Sequence, residues 1–134
     1  ALAEKNIPFD KNLVVNLGKN DDLDVLMSLL LNHVAIDAIL SLDELTAVKV
    51  LRIVKSRGYR VPEDISIIGF TNGQLSEFVT PALTTVSQHG KYIGESAAKQ
   101  LIERIETPQE VRCEFQTKVV KTSLVVREST KALF

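Results

Sequence analysis

The chain has 134 residues, of which 45% are hydrophobic and 25% charged, the proportions of one soluble globular domain. Its 16 basic and 17 acidic residues leave a net charge of −1, which excludes the strongly basic surface that marks a nucleic-acid-binding domain. No apolar run reaches the roughly 18–20 residues that a membrane span requires, and the single cysteine, Cys113, cannot close an internal disulfide, which fits a reducing, cytoplasmic setting.

The first residues, ALAEKNIPFDKN, lack the basic region and apolar core of a secretory signal. ALAEKN followed by Pro8 reads as the end of a helix, so the chain is expected to begin inside a longer protein. Residues 13–17 (LVVNL) are apolar and β-branched, and predict a strand. A GKNDD turn follows, whose acidic pair suits a helix N-terminus, and Leu23, Leu26, Met27, Leu29, Leu30 and Leu31 predict a helix over 22–33. Residues 36–41 (IDAILS) predict a second strand.

Ser41 and Glu44 have capping-box spacing, in which the serine oxygen and the glutamate carboxylate each accept from the other residue's amide. The helix they open is expected to run to about Arg57, with Gly58 taking the left-handed position that closes it and Pro62 blocking continuation. ISIIGF at 65–70 is nearly all apolar, as in a parallel strand covered by helices on both faces. Residues 13–70 thus read β-α-β-α-β, which implies right-handed crossovers and a parallel sheet. After a polar loop over 71–83, LTTVSQ reads as a short extended crossover. Residues 90–106 predict a helix with Ile93, Ala97, Leu101, Ile102 and Ile105 on one side. Residues 114–126 are strand-like, in two pieces broken near Lys121–Ser123.

No catalytic signature is present: there is no phosphate-binding glycine loop, no HExxH and no GxSxG. His33 and His89 lie far apart and read as helix-end or surface histidines, without the ligand count a metal site needs. Nothing local lowers the Cys113 pKa. No cofactor or metal is implied. Asp43 and Glu44 sit at a strand's carboxyl end and a helix start, where a carboxylate can be merely a cap or a partner of the helix dipole. In open parallel α/β sheets, however, ligands bind outside the carboxyl ends of the strands. Two such ends occur here, Ser41–Glu44 and Thr71–Gln74. Their hydrogen-bonding side chains suit a polar small molecule rather than a reaction.

The segments DAILSLDELTAVKVLR, RGYRVPEDISIIGF, TPALTTVSQ and LVVREST together resemble the lactose-repressor (LacI/GalR) family of bacterial transcription regulators, across roughly residues 10–130. The resemblance implies an α/β three-layer sandwich with a mainly parallel sheet, a partial domain of the type I periplasmic-binding-protein-like fold. About 10–86 and 117–130 would belong to the C-terminal subdomain and about 88–112 to the N-terminal one. The family's helix-turn-helix has no counterpart in the chain, so operator DNA would be reached only through a separate N-terminal domain. The resemblance implies a small-molecule effector, a homodimer and no membrane contact. The candidate ligand contacts are Leu42, Asp43, Glu44, Thr71, Asn72 and Gln88. Leu42-Asp43 replaces a frequent Asn-Asp, and Thr71 replaces a frequent aspartate. These changes argue against a simple free hexose and for an apolar or aromatic contact at Leu42, or for a different ligand altogether.

The function expected is therefore the sensing part of a LacI-type regulator, for a sugar or sugar derivative, and not an enzyme. The alternatives are a solute-binding component of a sugar ABC transporter and, with no nucleophile paired to a base, an enzyme fragment of flavodoxin-like architecture. In the family fold a strand missing from this chain lies between 13–17 and 36–41, and the other subdomain's sheet is mostly missing. The apolar side of 90–106 would then face water, which predicts association, as a symmetric homodimer that covers this helix or exchanges strands.

Overall fold

The structure, a computed structural model, describes residues 2–108 and 114–132; Cys113 lies outside them. Two 3-10 turns, Ala3–Lys5 and Lys11–Leu13, precede the first helix, α1 (Leu23–His33). Asp22 caps α1 by accepting from the Asp24 amide, and Met27 and Leu31, one turn apart, are its buried residues. Strand β1 (Ala38–Leu40) leads into helix α2 (Glu44–Ser56), which buries Ala47, Val50, Leu51, Ile53 and Val54 along one stripe. Gly58 takes φ +85 just past its end, the left-handed position expected of it. Strand β2 (Ser66–Thr71), short helix α3 (Leu75–Phe78), strand β3 (Thr84–Ser87), helix α4 (Gly90–Glu106) and strand β4 (Ser123–Val125) follow.

The sheet order is β1-β2-β3-β4, with β1, β2 and β3 parallel and β4 antiparallel to β3. It is the mainly parallel, open sheet expected. The core lies on one face, where Ile65, Ile67 and Leu83 pack with the α1 and α2 stripes. Gly69 marks how closely α2 approaches: a Cβ there would lie 2.9 Å from Leu83 Cδ2 and 3.2 Å from Ala47 Cβ. By strand alternation Leu40, Ile68, Phe70, Val86 and Leu124 belong to the opposite face, where Leu40 and Leu124 are exposed and the others half-buried. The described helices that pack on the sheet cover one face of it.

Four sequence expectations change. Residues 14–17 are not a strand. A strand exists only through its partner, and these residues pair with none of the four strands, so Val14, Val15 and Leu17 stay exposed. Residues 84–87 are not a crossover but an interior strand, with Phe70 opposite Val86 and Thr71 opposite Ser87. The loop after β2 contains α3. Of 114–126, the structure makes only Ser123–Val125 a strand. The chain before it follows α4 instead: Lys118 Nζ donates to Ser96 Oγ at 3.1 Å and lies 4.7 Å over the Tyr92 ring, and Arg104 lies 4.1 Å over Phe115. Helix α4 itself buries none of its residues, so its apolar side faces solvent as expected.

Candidate ligand-binding site

Because β1, β2 and β3 are parallel, their carboxyl ends open at one edge of the sheet. Residues 41–44 follow β1, residues 71–74 follow β2, and Gln88 follows β3. The topology therefore brings Leu42, Asp43, Glu44, Thr71, Asn72 and Gln88 to the same end. The amide of Ser41 donates to Ile68 O at 2.9 Å, which ties the first loop directly to β2.

Each residue there has a definable state. Leu42 is 77% exposed, an apolar side chain at the mouth of the edge. Asp43, not Ser41, caps α2: its Oδ1 accepts from the Thr46 amide at 2.8 Å. The Thr46 side chain and amide hold the Asp43 carboxyl below its ordinary range, so it is a carboxylate at neutral pH. The expected Ser41–Glu44 capping box is absent because the cap position lies two residues later: Asp43 reaches the amide three residues on and leaves Glu44 free to turn away.

Glu44 turns to the second loop. Its Oε1 accepts from the Ser76 amide at 2.9 Å and from Ser76 Oγ at 2.5 Å. A carboxylate at the start of one helix thus caps the start of the next, and ties the two loops together. Gly73 lies beneath this latch; a Cβ there would run into the Glu44 carboxylate. Thr71 (φ 104) and Asn72 (φ 58) are consecutive non-glycine residues with positive φ. Such backbone is costly, most of all for a β-branched residue, and persists only where its surroundings hold it. Asn72 Oδ1 accepts from Thr85 Oγ1 at 2.7 Å and from Arg127 Nη2 at 2.8 Å. Gln88 is exposed.

Sequence reading missed Ser76 and Arg127, because each acts on a partner far away in sequence: Ser76 on Glu44, 32 positions back, and Arg127 on Asn72, 55 positions back. Neither has a local signature. The edge as built offers an apolar surface, a carboxylate, amide and hydroxyl groups, and the amino end of α2, the equipment for holding a polar ligand. Among the described residues no group of three or more His, Cys, Asp or Glu could hold a metal ion. A separate concavity of about 650 Å³ lies between the start of α1 and the outer side of α2, lined by Leu17, Asp21, Asp24, Arg52 and neighbours.

The sequence profile of the periplasmic binding protein-like domain matches residues 1–130. The chain is 29% identical to the HTH-type transcriptional repressor PurR of Vibrio campbellii, over 99% of this chain and 40% of the relative. Among solved structures it is similar to a complex of the transcriptional regulator CelR with cellobiose, at 29% identity and a TM-score of 0.81 over 96% of this chain and 39% of that one. It is also similar to a LacI family transcriptional regulator of Enterococcus faecium with bound ribose, at 31% identity and a TM-score of 0.71 over 80% of this chain and 38% of that one. The first curated relatives it matches are much longer proteins, of which the chain spans 27 to 40%.

Proposed function

The chain belongs to the periplasmic binding protein-like domain family, in the form carried by LacI-type transcriptional regulators, and from that premise we propose that it is the effector-sensing part of a DNA-binding regulator. The effector is a small polar molecule, a sugar or sugar derivative, held at the carboxyl edge of β1, β2 and β3 by Leu42, Asp43, Glu44, Thr71, Asn72 and Gln88. The observation that supports this most is the Glu44–Ser76 latch, which makes two loops from different strands one surface. The relatives with bound cellobiose and ribose support a carbohydrate ligand. They are regulators, which favours this reading over a transporter component and over an enzyme.

In the whole protein, operator contacts belong to a DNA-binding segment outside these residues, and the regulator works as a cytoplasmic homodimer. No helix among the described residues is long and apolar enough to cross a membrane. Effector binding changes operator affinity only to the extent that the ligand binds the two arrangements of the protein unequally. In this reading α4 belongs to a second subdomain, so closure of the cleft and the position of α4 move together.

The test is calorimetric titration of the intact regulator with its effector. Asp43→Ala should weaken binding by more than it weakens folding. Equal affinity for variant and wild type would leave Asp43 as a cap alone.

A further inference from the structure

We propose that Arg127 is a positioning residue for the ligand loop: from the chain beyond β4 it fixes the conformation of Thr71–Asn72 and the direction in which the Asn72 amide faces. This rests on the reading that 71–74 belongs to the ligand site. The Arg127 side chain is only 14% exposed. Its Nη1 donates to Leu83 O at 2.8 Å and to Thr85 Oγ1 at 3.2 Å, and its Nη2 donates to Asn72 Oδ1 at 2.8 Å and to Glu77 Oε1 at 3.0 Å. Asn72, Glu77 and Leu83 span the beginning, middle and end of the excursion between β2 and β3. One guanidinium therefore ties that loop at three points along its length.

The chemistry of the guanidinium sets the amide's orientation. Arginine only donates, so the Asn72 atom facing it must be the oxygen. The Thr85 hydroxyl donates to the same oxygen at 2.7 Å, which uses both of its lone pairs. Asn72 Nδ2 is thereby turned away from Arg127, and among the described residues it has no hydrogen-bond partner. The loop presents N–H donors at this point, suited to an acceptor oxygen of a ligand. Glu77 is mostly exposed, so its ion pair with Arg127 is screened by water; the neutral acceptors define the geometry. The same two bonds oppose relaxation of the left-handed backbone at Asn72 and, through it, at Thr71.

Amide hydrogen exchange on the full chain tests this without a ligand. The reporters are the amides of Ser76, Glu77 and Val79, which donate to Glu44, Gln74 and Leu75; the α2 amides of Val50 and Val54 report the core. Arg127→Met keeps the stem and removes every guanidinium donor, and should accelerate exchange at the reporters by about tenfold or more beyond any change in the core. Asn72→Gly keeps access to positive φ while removing the acceptor, and should do the same if Arg127→Met fails to fold. Asn72→Asp still accepts both bonds and should retain protection. Reporter amides that change only in step with the core, or Asn72→Asp behaving like Asn72→Gly, would overturn the proposal. Titration of wild type with cellobiose and ribose is a separate arm: failure to bind counts against the ligand reading and leaves the exchange result to decide the role of Arg127.

Discussion

Asp43 carries both a structural and a proposed binding role, and the two separate by pH and by mutation. As the α2 cap, its replacement by alanine should cost about 1 kcal/mol of stability, measured by urea denaturation at neutral pH. The folded carboxyl titrates below its ordinary value of 3.8, so its contribution is fully present above that value and is lost as the pH falls through the lowered one. The gap between wild type and Asp43→Ala should therefore close under strong acid; a gap unchanged there would deny the cap. Gly73 makes a second, independent prediction. In Gly73→Ala the flexible Glu44 carboxylate can swing aside, but only by leaving Ser76, so the cost should be that of a lost hydrogen bond, about 0.5–1.5 kcal/mol. Faster exchange of the Ser76 amide should accompany it. Asp43 and Thr71 were legible as site candidates because a strand end followed by polar residues is a local pattern. The latch and the Arg127 clamp were not, since their partners are brought together only by the sheet.

At the scale of elements, what was legible was whatever signals itself. The apolar stripe of α2 and the closing Gly58 define that helix within the sequence, and the same holds for α1, α4 and the apolar run of β2. Strands that depend on a distant partner misled in both directions. LVVNL has the composition of a strand and pairs with none of the four strands, while TTVS looks like a connector and lies between β2 and β4. Buried threonines there are tolerable because each finds a partner: Thr84 Oγ1 bonds with Thr130 Oγ1 and Thr85 Oγ1 donates to Asn72. Gly69 tests helix–sheet spacing. Gly69→Ala places a methyl against Ala47 and Leu83, and should destabilise by about 1–3 kcal/mol, since the Ala47 side chain has no rotamer by which to yield. Helix α4 tests the outer surface: Leu101 and Ile105 are 60% and 67% exposed on its apolar side. Changing both to glutamate should leave the fold intact and shift the chain toward monomer in sedimentation; an unchanged distribution would place the contact elsewhere.

For the molecule as a whole, the accessible surface is 10208 Å². A compact monomer of this mass would expose roughly 7,000 Å². The excess is larger than a standard protein interface of about 1,600 Å². It includes the bare β1 edge, Leu40 and Leu124 on the open sheet face, and the side of α4. Association with a second copy is the expected consequence. The near-neutral charge predicts in turn no salt-sensitive, sequence-selective DNA binding by these residues alone. Both agree with the proposed role, that of holding a ligand between parts of a larger protein. The most direct test of that task is an amide chemical-shift titration of the chain with cellobiose, lactose and ribose. At least one sugar should perturb Ser41–Glu44, Thr71–Gln74 and Gln88 together, with Asp43→Ala weakening the response. Perturbations confined to the concavity lined by Asp21, Asp24 and Arg52, or none at the carboxyl edge of the sheet with any of the three sugars, would contradict it.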